Sequence, residues 1–76
     1  ATFTIKVLSP RTWNDSSIID VLTEKNEKFS WWGKSLASDE GKRLEEARKA
    51  GSQVTVNYST KGNYKNIESI VEVVPQ

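Results

Sequence analysis

One stretch of this chain carries helix signals, and it sits between segments in which apolar residues recur at every second position. Ser38 is a side-chain N-cap, and Asp39 and Glu40 follow in the first turn, where carboxylates suit the positive end of the helix dipole. Leu44, Ala47 and Ala50 then make a thin apolar stripe, and Gly51 is a natural left-handed stop. Gly41 counts against the first turn, since glycine costs roughly 1 kcal/mol relative to alanine inside a helix.

The flanking segments read as strands. Phe3, Ile5 and Val7 alternate with Thr4 and Lys6, the period of a half-buried strand over Thr2 to Leu8. Ser9-Pro10 ends it, because proline cannot donate to a ladder, and the polar run to Ser17, with Arg11 and Trp13 in it, reads as a loop. Ile18 to Thr23 is a β-branched second strand, and Lys28 to Gly33 a third. The short Glu24–Glu27 link makes the two a hairpin. After the helix, Val54, Val56 and Tyr58 alternate again, with all three expected inside. Lys61-Gly62-Asn63 is a turn, and Tyr64 to Val74 is a fifth strand. Ile67 and Ile70 differ in parity, so that strand is either bulged or partly covered on both faces.

The order is therefore β-β-β-α-β-β in one domain spanning residues 1–76. The fold expected is a mainly β chain: a small five-stranded OB-like barrel, closed or nearly so, with one short helix at one end and Phe3, Ile5, Val7, Val54, Val56 and Ile67 inside. Closure also removes the exposed edges that a chain of 76 residues has little material to cover. An open β-grasp sheet is the alternative if the first loop or the second strand is misread.

Composition narrows the chemistry. The chain has no Cys and no His, which removes disulfides, a thiolate nucleophile, an imidazole base and the usual nitrogen–sulfur zinc site. Asp39, Glu40, Glu45 and Glu46 share the helix with Lys42, Arg43, Arg48 and Lys49, which is an ion-paired, solvated face. Asp15 and Asp20 are too few to hold a hard cation. Ser9, Ser16 and Ser17 have no base to activate them, and no phosphate-cradling glycine loop is present. No catalysis and no cofactor are expected. No apolar run is long enough for a membrane-spanning helix, so no membrane partner is expected. A formal charge of +1 gives no global attraction to nucleic acid, so such a role would rest on local charge.

Local charge and aromatic residues do coincide. Lys28 and Lys34 flank the third strand, Lys61 and Lys65 flank the last turn, and Arg11 lies in the first loop. In an OB-fold these are the places that contact oligonucleotides. Trp31 and Trp32 are adjacent in a strand and so face opposite ways. Parity puts Phe29 and Trp31 in the core and leaves Trp32 between two lysines, with the reverse assignment open. Trp13 is either a lid on the barrel or presented to a ligand. Tyr64 is either a stacking platform or half of a hairpin pair.

The stretch from Val54 to Val71, above all Tyr64-Lys65-Asn66-Ile67-Glu68-Ser69-Ile70, resembles the closing hairpin of small OB-fold single-stranded-DNA-binding proteins of phages and bacteria. The aromatic strand Lys28 to Lys34, followed by a charged helix, is similar in placement, so the resemblance spans roughly residues 28–74. The chain departs from many such proteins in ending at Val74-Pro75-Gln76 without an acidic tail. The resemblance implies non-catalytic binding of single-stranded nucleic acid, most of all DNA, in an intracellular, cytoplasmic setting that includes a phage-encoded protein in a bacterial host.

On both grounds the expected site is Arg11, Trp13, Lys28, Trp32, Lys34, Lys61, Tyr64 and Lys65, with rings stacking on bases and cations tracking phosphates. The alternative is a structural or protein-interaction barrel, part of a larger protein or assembly or a homo-oligomer, in which Trp13 and Trp32 anchor a protein partner.

Overall fold

A computed structural model describes residues 1–75. Its elements are β1 (Thr2–Trp13), β2 (Ser16–Thr23), β3 (Lys28–Trp32), α1 (Asp39–Ala50), β4 (Gln53–Lys61) and β5 (Tyr64–Val74). The strands bond in the order β1-β2-β3-β5-β4, and β4 closes the ring onto β1 through Thr2–Thr4. The pairs are antiparallel except β3 with β5, which run parallel and meet at Ser30 and Asn66. This ring, with the helix inserted between β3 and β4, is the OB-like barrel expected, and its closure excludes the open β-grasp sheet.

The first strand is longer than its sequence suggests. Ser9 to Trp13 is not a loop but the second half of β1, paired with β2 as far as Trp13 and Ser16. Pro10 fits there because β1 pairs with β4 only at its start; farther on, its other edge faces no strand and a missing N–H is harmless. The hairpin closes on Asn14 and Asp15, both at positive φ, as a two-residue type I′ turn requires.

A bulge at Lys6 separates the pairs Ile5–Thr23 and Val7–Leu22. The extra residue reverses the parity of the strand beyond it. Val7, expected inside, is therefore turned outward and is 42% exposed, while Leu8 packs against the core instead. Two more bulges, at Glu68 and Val71, resolve the parity conflict in β5: Ile67, Ile70 and Val73 all reach the core side, opposite Tyr58, Val56 and Val54. Phe29 and Trp31 are buried and Trp32 is not, as parity requires. Tyr58 is only partly inside; it lies at the barrel mouth with its ring edge-on to Phe29 at 5.2 Å.

The helix is capped as its sequence demands. Ser38 Oγ accepts from the Gly41 N–H, and Gly51 adopts the left-handed conformation at φ 69°. Leu44 and Ala47 complete the core from the end of the barrel. Gly41 is not a weakness but a packing requirement: a Cβ there would stand 2.0 Å from the Ser35 carbonyl oxygen. Among the described residues no helix is long and apolar enough to cross a membrane.

Candidate nucleic-acid interface

The outward-facing residues of β1, β2 and β3 form one wall of a groove of about 380 Å³, and the tip of the β4–β5 hairpin forms the other. The bulge at Lys6 builds this wall, because it turns Val7, Ser9 and Arg11 to the same side as Asp20, Leu22 and Ser30. Phe29 closes the floor, and Asn63, Tyr64 and Lys65 overhang from the hairpin. That hairpin projects because β4 and β5 stay paired out to Lys61 and Tyr64, with Gly62 at φ 62° at the first central position of the turn.

A second hollow, of about 310 Å³, is lined by Trp32, Lys61, Tyr64 and Asn66. Tyr64 lines both spaces and is 66% exposed. Each hollow thus offers an aromatic face with a cation beside it: Lys61 in one, Lys28 in the other. Neither lysine carries an ion pair among the described residues.

The other cations of the expected site, Arg11, Lys65 and Lys34, are engaged, and their sequence gives no sign of it. Arg11 Nε donates to Asp20 Oδ2 at 2.5 Å, while Asp20 Oδ1 accepts from the Ser30 hydroxyl at 2.9 Å. The carboxylate holds Arg11 in the groove wall, and among the described residues its terminal nitrogens have no hydrogen-bond partner. Lys65 pairs with Glu27 at 3.1 Å and lies 5.2 Å from the centre of the Phe29 ring. The groove is therefore less basic than its lysine and arginine content implies, since Asp20 and Glu27 stand beside two of its cations.

Lys34 does not belong to this surface. It pairs with Glu40 at 2.9 Å and sits 5.9 Å over the Trp31 ring, beside the start of α1. The Lys34 ammonium, helped by a backbone hydrogen bond, holds the Glu40 carboxyl below the usual carboxylate range. On the outer face of the helix, Arg48 likewise lowers Glu45, and Glu45 raises Arg48. Trp13 is not a lid. It is 58% exposed at the β1–β2 hairpin tip, on the same face of β1 as Val7, Ser9 and Arg11, but lines neither hollow.

Of the residues singled out from sequence, then, Arg11, Lys28, Tyr64 and Lys65 meet in the groove, Trp32, Lys61 and Tyr64 in the adjoining hollow, and Trp13 extends the same face. Val7, Asp20, Ser30 and Asn66 were not anticipated, and Phe29 only in the reverse assignment of the third strand. The signal for Asp20, Ser30 and Asn66 lies in the strand register, where Ser9, Asp20, Ser30, Asn66 and Ser59 are successive partners across the five strands. Among the described residues, no group of three Asp, Glu, His or Cys is placed to hold a metal ion. Comparison with protein-family models, curated proteins and solved structures finds no match to this chain.

Proposed function

We propose that this barrel binds single-stranded nucleic acid, DNA foremost, without catalysing a reaction on it. The observation that carries the reading is the placement of Tyr64 between two hollows, with Trp32 facing one of them and an unpaired lysine in each. Exposed rings take base faces, and base–aromatic stacking tolerates any sequence because every base has a π-face. Lys28 and Lys61 attract the phosphates, Arg11 offers its free guanidinium nitrogens, and the Asp20 and Glu27 partners restrain non-specific attraction.

Titration of the intrinsic tryptophan fluorescence with oligo-dT at two salt concentrations tests this. Quenching that weakens steeply with salt is expected. Absence of quenching by both oligo-dT and oligo-U at low salt would overturn it. A second reading, a protein-docking barrel, draws on the exposure of Val71 and Val74 on β5, which line neither hollow. Docking of that kind is apolar and lacks the steep salt dependence.

A further inference from the structure

Two of the chain's arginines are paired with carboxylates, and they are paired differently. Arg48 gives two nitrogens, Nε and a terminal one, to the two oxygens of Glu45. Arg11 gives only Nε, to Asp20 Oδ2. The other oxygen of Asp20 accepts from the hydroxyl of Ser30, its register partner on β3. The carboxylate is thus held at both oxygens, while among the described residues the two terminal nitrogens of Arg11 have no hydrogen-bond partner.

The strand register sets the direction of the Arg11 side chain. Arg11 lies opposite Ile18, and Asp20 is two residues farther along β2, opposite Ser9. Reaching Asp20 takes the side chain away from Trp13 at the hairpin tip and toward the row Ser9, Asp20 and Ser30, all of which line the groove. Arg11 lines it too, with 41% of its side chain exposed. A guanidinium is planar, and its terminal nitrogens present parallel N–H groups that match two oxygens of a phosphate. A partner on Nε restricts the rotation of that plane. Glu27 does nothing comparable for Lys65, because an ammonium is a point charge with rotating donors.

Resting on the nucleic-acid reading, we propose that Arg11 is a two-pronged phosphodiester clamp and that Asp20, anchored by Ser30, is its positioning residue. The carboxylate's own charge opposes a polyanion, but its hold on Arg11 outweighs that charge.

Oligo-dT is the probe, because guanine also offers an arginine two adjacent acceptors and thymine does not. With the full chain at fixed salt, fluorescence titration should show Asp20→Ala weakening binding by about fivefold, although it removes a negative charge. Glu27→Gln should instead tighten binding by about twofold. Asp20→Asn keeps an acceptor for Nε without the charge, so it should recover the affinity lost in Asp20→Ala. In an Arg11→Ala background the sign should reverse: Asp20→Ala then only removes an acid, and binding should tighten. Arg11→Lys keeps the charge and loses the fork, so it should weaken binding by about fivefold with the salt dependence unchanged. It is the second variant if Asp20→Ala folds poorly. The inference is overturned, with single-strand binding intact, by tighter binding in Asp20→Ala, by no recovery in Asp20→Asn, or by an equal weakening in Glu27→Gln. A loss that persists in the Arg11→Ala background, or full affinity in Arg11→Lys, overturns it too. Absence of binding by the unmodified protein at low salt removes the reading on which it rests.

Discussion

Ile18 and Trp32 stand directly opposite each other across β2 and β3; the tryptophan is 45% exposed, and the isoleucine has no exposed surface at all. Ile18 belongs to the outward row of β2 with Asp20, and it lies outside the main core cluster. Its neighbours in register are Trp32 on one side and Arg11 on the other, two long side chains on the same face of the sheet. Trp32 thus stands both beside a fully buried isoleucine and, with Tyr64, at the edge of the hollow.

Trp32→Ala is therefore expected to change both stability and binding. Uncovering Ile18 should lower the unfolding free energy by about 1–2 kcal/mol, in proportion to the apolar area returned to water. Loss of the stacking face should weaken oligo-dT binding by about tenfold or more. Urea denaturation and a titration with labelled oligonucleotide measure the two separately. Unchanged stability would show that Trp32 does not cover Ile18.

Lys61 and Lys34 are expected to behave differently, although both flank the surface in sequence. Among the described residues Lys61 has no ion pair, and it lines the hollow, so Lys61→Ala should flatten the dependence of log affinity on log salt by about 0.7. Lys34 is held by Glu40 beside α1, and Lys34→Ala should leave that slope unchanged. Binding isotherms at four or five salt concentrations give the slopes. An equal loss in both variants would place the phosphate path over the helix instead.

Gly41→Ala should destabilise the protein even though alanine is the better helix former by about 1 kcal/mol. The added methyl would meet the Ser35 carbonyl oxygen at 2.0 Å and the Leu36 Cα at 2.8 Å, both backbone atoms that cannot swing aside. Overpacking of this kind costs about 1–3 kcal/mol, so the melting temperature should fall by several degrees. A rise would mean that the loop before α1 relaxes freely.

Local physics made the element order legible in the sequence. Alternation marks the five strands, and Ser38 and Gly51 bracket the helix because their side-chain and backbone preferences act within a few residues. Adjacency alone sends Trp31 and Trp32 to opposite faces, and the lysines flanking Trp32 mark the outer one. What alternation cannot carry across is a bulge. One extra residue at Lys6 exchanges the roles of Val7 and Leu8, turns Ser9 and Arg11 toward the groove, and so creates the site's wall. Pro10 reads as a strand breaker because the missing neighbour on its other edge is a property of the barrel, not of the residue. The partners of Arg11, Lys34 and Lys65 likewise depend on which elements lie side by side. The sequence by itself determined the strands, the helix and the inward or outward side of most residues, since these follow from a residue and its immediate neighbours. Only the tertiary structure decided which cations of this surface stay unpaired and which aromatic side chains share a hollow, since both depend on pairings between strands distant in the chain.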